Sequence, residues 1–251
     1  RCKSAVVNID DPYGLRLAKQ IDIKTYRAST DAIEIKDEIF TGSSIIWRDL
    51  PIELQISGRF NIENALLAAS TCLLMGIDEN QIVNGLEAAE PVPGRFEVID
   101  GYEGAPTVIV DYSHTPAGIE NVLQAVRKIS PEVGLTIVFG CGGNRDSTKR
   151  PKMARAAEIH ADRVVVTSDN PRYEDPLEII DQTMSGFVDP NSVIVEEDRE
   201  VAIQLAIQSS NADEVIVIAG KGAETTQEIC GKVKPFDDRV IAEAVLQGVK
   251  G

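Results

Sequence analysis

From residue 106 onward the chain alternates between two textures. Short runs rich in Val, Ile and Leu occur at "PTVIVDY" (106–112), "LTIVFG" (135–140), "RVVVTS" (163–168), "SVIVEE" (192–197) and "EVIVIAG" (214–220). They are apolar at consecutive positions, the pattern of strands covered on both faces. Longer stretches with helical spacing separate them. The clearest is 116–129, where Ile119, Val122, Leu123, Val126 and Ile129 share one face and Thr115-Pro116 provide cap and first turn. Five such strands alternating with helices predict an α/β domain built on a doubly wound, mostly parallel sheet.

The first ninety residues have a different pattern. "SAVVNI" is a short apolar strand that runs into Asp10-Asp11-Pro12, a turn or helix start. Alternating runs at "AIEIKDEIF", "SSIIWRDL" and "IELQIS" predict a small antiparallel sheet. A helix follows with Ile62, Ala65, Leu66, Ala69 and Leu73 on one face, stopped by Gly76, and Asp78 caps a second helix carrying Ile82, Val83, Leu86 and Ala89. "EPVPGRFE" (90–97) is the best linker, dividing the chain into 1–90 and 91–251.

Charge narrows the partners. The formal net charge is −15, with 40 acidic against 25 basic residues. Nucleic acid and anionic membranes are poor partners for such a surface, and an anionic ligand has to be gripped by local arginines. Cys2, Cys72, Cys141 and Cys230 are far apart, which fits neither a metal-ligand pattern nor a disulfide framework, and a reducing cytoplasm is expected. The longest apolar stretch, "ALLAASTCLLMGI", is too short to span a bilayer. The opening "RCKSAVVNIDDPYG" has no leader and reads as the interior of a longer protein.

The unusual polar residues follow the strands. "DYSHT" comes after the first of the five, "GCGGNRD" after the second, "SDNPR" after the third and "GKGAE" after the fifth. In a parallel sheet the carboxyl ends share one edge, and ligands bind in the crevice there. Four separate oddities thus become one candidate site. Taken singly, each has a plainer account. Gly140, Gly142 and Gly143 could serve a tight turn, or permit positive φ and close approach to a ligand. Arg145 could pair with Asp146 or Asp169 at the surface, His114 could be a polar helix-start residue, and Lys149-Arg150-Pro151 a solvated helix start. "GKGAE" lacks the spacing of a full phosphate loop. Met153 and His160 read as structural.

Together the segments resemble a family. "FNIENALLAA", "PGRFE", "DYSHTP", "VFGCGGNRDSTKRPKM", "TSDNPRYEDP" and "AGKGAETTQ" occur in the order found in the Mur ligases of peptidoglycan synthesis, most similarly in the diaminopimelate-adding members. The likeness runs from "VNIDDPYG" to "FDDR". It implies that 1–90 is the carboxyl-terminal part of a central α/β ATP-binding domain and 91–251 a Rossmann-like amino-acid-binding domain. The family's "GTNGKT"-type phosphate loop and its carbamylated lysine do not occur in these residues, so the chain is expected to be a fragment that does not catalyse ligation alone. Neither a catalytic residue nor a metal ligand is assigned within it.

The implied reaction joins meso-diaminopimelate to the glutamate of a UDP-N-acetylmuramoyl dipeptide, using ATP and Mg²⁺ and passing through an acyl phosphate. By resemblance, Asp169, Asn170 and Arg172 ("DNPR"), Arg145 ("GGNRD"), and Gly220 and Glu224 ("GKGAE") contact diaminopimelate. An arginine suits the second carboxylate of that amino acid, which lysine lacks. Asn61, Asn64, Arg95, Asp111 and His114 match positions near ATP. Ala223 stands where members usually have His, and Ala117 where they often have Asp. A lysine-adding relative and a non-catalytic Rossmann-like binding module remain as alternatives.

Overall fold

The computed structural model describes residues 2–248, which fall into two compact units, one ending at Pro91 and the other beginning at Val92. In the first, β1 (Ser4–Asn8) and β2 (Lys24–Ala28) pair in parallel, connected through α1 (Pro12–Gln20). Asp11 starts that helix, its carboxylate accepting the N–H groups of Tyr13 and Gly14, with Pro12 in the first turn. Next, β3 (Ile33–Ile39), β4 (Gly42–Trp47) and β5 (Leu50–Leu54) form an antiparallel sheet. Alternation places Ile45, Trp47, Ile52 and Leu54 on one face. There they pack with Ile62, Ala65, Leu66 and Ala69 of α2 (Arg59–Leu74). Gly76 takes φ +85° after that helix, and Asp78 caps α3 (Glu79–Glu87).

The second unit runs β6 (Glu97–Ile99), β7 (Thr107–Asp111), α4 (Pro116–Ile129), β8 (Leu135–Cys141), α5 (Arg150–His160), β9 (Arg163–Ser168), α6 (Pro176–Met184), β10 (Ile194–Val195), α7 (Arg199–Gln208), β11 (Val215–Ala219), β12 (Thr226–Ile229), β13 (Lys232–Pro235) and α8 (Asp238–Gly248). Its central sheet has the order β10-β9-β8-β11-β7-β6. Every pairing is parallel except that of the edge strand β6 with β7, which makes the mostly parallel α/β fold. Val108, Val110, Val138, Val165, Ile216 and Ile218 face the apolar sides of α7 and α8. The residues between them meet α4, α5 and α6 on the opposite face, which is why these strands are continuously apolar.

Two parts of the sequence pattern differ in the structure. Of the run 192–197 only Ile194–Val195 is strand, because Pro190–Ser192 forms a 3₁₀ turn before it and Asp198 already caps α7 after it. The β12–β13 hairpin had no apolar alternation to announce it, since β13 is exposed along its length. The topology also fixes where a ligand could sit. β7 and β8 are consecutive strands of the parallel set, yet β11 lies between them, so the carboxyl ends of β7, β11, β8 and β9 line one edge at the switch point.

Candidate functional site

A cleft of about 330 Å³ opens at that edge. Tyr112 and His114 reach it from the loop after β7, Gly142, Arg145 and Lys149 from the loop after β8, Asp169, Asn170 and Arg172 from the loop after β9, and Gly220 and Glu224 from the loop after β11. The structure thus gathers all six residues assigned by resemblance to the amino acid, together with His114.

The loops after β8 and β9 are in intimate contact. Gly143 N–H donates to Asn170 O at 2.9 Å, and Arg172 Nη1 donates to Gly143 O at 2.8 Å. A Cβ on Gly143 would lie 1.9 Å from Pro171 O, and one on Gly140 would lie 2.4 Å from Thr167 O. Neither glycine has positive φ. Gly143 is required by the approach of the β9 loop and Gly140 by the close pairing of β8 with β9, while Gly140 and Gly142 also line the cleft. The residues with left-handed backbone in these loops are Asn144, at φ +51°, and Arg172, at φ +53°. The main chain of Arg172 is pinned on both sides, its N–H donating to Glu228 O at 3.0 Å and its O accepting from Cys230 N–H at 2.5 Å.

The two arginines keep donors free. Arg145 is exposed and forms no hydrogen bond or ion pair with the described residues, so the pairing with Asp146 or Asp169 does not occur. Arg172 uses Nη1 on Gly143 O and Asn170 O, and its Nε stands 3.7 Å from a Glu228 oxygen, leaving Nη2 unengaged. Opposite them are acceptors. Asn170 Nδ2 donates to Glu224 Oε2 at 2.8 Å, which fixes the amide with Oδ1 toward Glu228 N–H at 2.9 Å. Asp169 is buried, and a Cβ on Gly220 (φ +121°) would meet its Oδ2 at 2.8 Å, so only glycine fits beside it. The cleft therefore joins unpaired guanidinium donors to a carboxylate- and amide-lined wall, an arrangement suited to a ligand carrying both carboxylate and ammonium groups.

Four charged side chains behind this lining were missed or misread in the sequence. Arg150, expected at a solvated helix start, is 1% exposed. Its Nη1 meets Glu174 Oε2 at 2.9 Å and Gln182 Oε1 at 2.6 Å, and its Nη2 meets Glu174 Oε1 at 3.1 Å and Gly142 O at 3.3 Å. Arg150, and after it the Asn144 N–H, hold the Glu174 carboxyl below its ordinary range. Lys221, the lysine of "GKGAE", is fully buried and donates to Thr226 O at 2.7 Å, Glu224 Oε2 at 3.2 Å and Asn170 Oδ1 at 3.3 Å. All three ammonium protons have protein acceptors, so this lysine braces the site and does not reach for phosphate. Arg199 and Asp238, both buried, form a two-pronged pair at 2.7 and 2.8 Å.

The residues matched to ATP are distributed differently. Asp111 does not line the cleft, because its carboxylate accepts Phe96 N–H and Ser113 N–H, each at 2.8 Å, and the Ser113 hydroxyl. It organises the turn that Phe96 makes at φ +48°. His114 is exposed, with Nδ1 2.8 Å from Tyr112 O and its ring edge-on to Tyr112. Arg95 stacks over the same tyrosine at 4.5 Å and lines a neighbouring cleft of about 290 Å³ with Lys221, Ala223 and Glu224. Asn61 and Asn64 lie in the other unit, one turn apart on α2. Asn61 donates to Ser57 O at 2.7 Å, and Asn64 is exposed. Among the described residues no three His, Cys, Asp or Glu side chains gather to hold a metal ion, and no helix is long and apolar enough to cross a membrane.

Comparison with known proteins bears on what this cleft is for. Residues 94–222 match the family described as Mur ligase, glutamate ligase domain. The chain is 37% identical to the UDP-N-acetylmuramoyl-L-alanyl-D-glutamate--2,6-diaminopimelate ligase of Xanthomonas campestris pv. campestris (strain 8004), over 97% of this chain and 52% of that protein. With the ligase of the same name from Parasynechococcus marenigrum (strain WH8102) the identity is 42%, over 97% of this chain and 51% of the relative. A solved structure bearing that ligase name superimposes with a TM-score of 0.64 at 32% identity, covering 99% of this chain and 54% of the other. UDP-N-acetylmuramate-alanine ligase from Thermotoga maritima gives 0.65 at 20% identity over 98% of this chain and 51% of its own, a likeness of fold alone. The chain spans about half the length of the curated relatives it matches.

Proposed function

The chain belongs to the Mur ligase family, and from that premise we propose that it is the amino-acid-receiving portion of an ADP-forming ligase that adds meso-diaminopimelate to UDP-N-acetylmuramoyl-L-alanyl-D-glutamate. One observation carries this reading. In a chain of net charge −15, two arginines with unengaged donors converge on one cleft whose other wall carries Asp169, Asn170 and Glu224. Arg145 and Arg172 take a carboxylate of the amino acid, and Glu224, whose Oε2 is held by Asn170 and Lys221, offers Oε1 to an ammonium group. Diaminopimelate has the distal carboxylate for which a planar two-donor fork is shaped, and lysine has none.

In this scheme the glutamate carboxylate of the nucleotide-linked dipeptide receives the terminal phosphoryl group of ATP. The free amine of diaminopimelate then attacks the acyl phosphate, the amide forms and phosphate leaves. What these residues contribute is placement: an amine held close to the acyl carbon, in line for attack, gains much of its acceleration from orientation. We assign 1–90 to the end of the ATP-binding domain, with Asn61 and Asn64 toward adenine, and 91–251 to the amino-acid domain. Arg95 and His114 serve the nucleotide directly, while Asp111 shapes the turn between them. Mg²⁺ and ATP are the expected cofactors of the whole protein, and no step is routed through the metal by these residues. The four cysteines are all free, which suits the cytoplasm where we place the protein.

The test is a cycle crossing one side chain with one ligand group. Arg172→Ala is compared with the unaltered chain for meso-diaminopimelate and for L-lysine, by titration. A charge-assisted contact to the distal carboxylate is worth on the order of 1.5–3 kcal/mol, so the variant should lose roughly ten- to a hundredfold for diaminopimelate and little for lysine. Equal losses for the two ligands would reject the assignment. ADP release by the 251-residue chain, supplied with dipeptide substrate, ATP, Mg²⁺ and diaminopimelate, should stay at background. Turnover would mean that these residues hold more of the machinery than assigned here.

A further inference from the structure

Arg150 and Glu174 contribute nothing to the lining of the cleft, yet each is tied to a loop that does. We propose that this pair positions Arg145 and Arg172 relative to each other, and so sets the preference for a diamino acid with a second, distal carboxylate. The proposal rests on the amino-acid site described above and concerns what determines its selectivity.

The connections are short and directional. Glu174 follows Arg172 by two residues, and its Oε1 accepts the N–H of Asn144, the residue before Arg145. Arg150 grips both Glu174 oxygens and also donates to Gly142 O, three residues before Arg145. One buried guanidinium therefore touches the loop after β8 directly and the loop after β9 through a carboxylate that itself touches the loop after β8. Tyr173 N–H closes the circuit on Asn144 Oδ1 at 3.1 Å. Arg145 and Arg172 leave this braced region at its two sides, from residues with φ +51° at Asn144 and +53° at Arg172.

The chemistry of the pair points to placement and away from simple cohesion. Burying the Arg150 guanidinium, whose partner Glu174 is itself 30% exposed, costs desolvation, and an apolar side chain of similar volume usually stabilises a fold as well or better. What apolar contacts lack is direction, whereas a planar guanidinium fixes each acceptor in distance and angle. Arg150 spends three terminal N–H groups on hydrogen bonds and brings Nη1 within 2.9 Å of Glu174 Oε2, while its buried Nε has no partner. The side chain is placed for its terminal fork at the cost of its inner donor.

The competing view is that the pair merely anchors α5 to α6, through Gln182. The experiment uses the full 251-residue chain, titrated separately with meso-diaminopimelate and L-lysine by NMR, for Glu174→Gln, Glu174→Asp and Arg150→Met, with melting followed in parallel. Glu174→Gln and Arg150→Met are expected to weaken diaminopimelate about tenfold while lysine changes less than about twofold, because a displacement near 1 Å is felt by the fork and hardly by contacts common to both ligands. Glu174→Asp, which keeps the charge but shortens the arm, should lose selectivity too. It decides the matter if Arg150→Met fails to fold. Equal loss for both ligands, or retained selectivity in all folded variants, overturns the proposal alone. An unaltered chain that binds neither ligand at millimolar concentration overturns the amino-acid site and this proposal together.

Discussion

Replacing Asp238 by Asn would remove one charge from the most deeply buried ion pair of the second unit while barely changing its volume. Both side chains of the Arg199–Asp238 pair have no exposed surface. The carboxylate receives Nε at 2.8 Å and Nη2 at 2.7 Å, and the same guanidinium donates to Ser168 O at 3.3 Å and Ala219 O at 3.0 Å. Those carbonyls belong to the last residues of β9 and β11, from which the Asp169–Arg172 and Gly220–Glu224 loops depart. Without the carboxylate, a buried guanidinium keeps only Asp169 and Glu224, to which it makes no hydrogen bond, as counter-charges, and breaking a buried pair in this way typically costs about 3–5 kcal/mol. Domains of this size hold only about 5–15 kcal/mol in total, so the loss is a large fraction of stability. In thermal unfolding it corresponds to a fall of roughly 6–20 °C. The double variant Arg199→Met, Asp238→Leu should recover much of the loss, since the desolvation penalty goes with the charges. It should not recover all of it, because Ser168 O and Ala219 O are left without a donor. Urea unfolding of both single variants and the double variant gives the coupling directly. A cost below about 1 kcal/mol for Asp238→Asn, the range of exposed pairs, would refute the argument that burial makes this pair critical.

Gly143→Ala should cost about 1–3 kcal/mol and weaken diaminopimelate binding, because its Cβ falls 1.9 Å from Pro171 O, and calorimetry with a ligand titration would show both effects. Lys221→Met should destabilise the unit by about 1–3 kcal/mol, because Thr226 O and Asn170 Oδ1 lose a buried donor while Glu224, 39% exposed, remains solvated. It should leave nucleotide affinity in the whole enzyme nearly unchanged, since no ammonium proton is free for phosphate, and a selective loss of ATP binding would restore a phosphate role for this residue. The Arg150 guanidinium and the Asn144 N–H hold the carboxyl of Glu174 below the ordinary glutamate range in the folded chain. The contribution to stability is therefore fully present above about pH 4.5 and lost as pH falls through the folded value. The difference in urea stability between the unaltered chain and Glu174→Gln should accordingly shrink below that pH, while a constant difference from pH 7 to 3 would contradict the ion-pair account.

How far the sequence could be read depended on the range of the interaction. Strands β7, β8, β9 and β11 were legible because burial on two faces demands consecutive apolar residues, and the edge where their loops meet followed from parallel pairing alone. Arg145, Arg172 and Glu224 were placed at that edge by the same reasoning. Arg150 was misread because a charged residue beside a proline at a helix start has the local look of a solvated one. Nothing near it announces that Glu174, 24 positions later, folds back to meet it. Lys221 was given a phosphate-loop flavour by its glycines, and only the approach of Asn170 and Thr226 shows it to be a brace. The glycines after and at the end of β8 were noticed for their rarity, but the crowding of Gly143 by Pro171 and of Gly140 by Thr167 comes from chain more than 25 positions away and could not be read locally. Asp111, matched to the nucleotide, also accepts from Phe96 and Ser113, a commitment set by local turn geometry that residue type alone does not reveal.

The position of β11 between β7 and β8 has a bearing on when the site can come into being. A chain made from its amino end produces β7, α4, β8, α5 and β9 first. β8 and β9 can pair as soon as both exist, but the slot between β7 and β8 stays open until Val215–Ala219 has been made. Pairing of that kind, between segments distant in sequence, is slow because a long loop must close before any contact is gained. The cleft straddles this same slot, with Gly140 and Gly142 on one side of it, Tyr112 on the other and Gly220 on the strand that fills it. A growing or truncated chain that stops short of β11 thus has Arg145 and Arg172 but no enclosed place for a ligand. Closing the sheet and completing the site are a single event, so an unfinished polypeptide has no pocket with which to capture the amino acid.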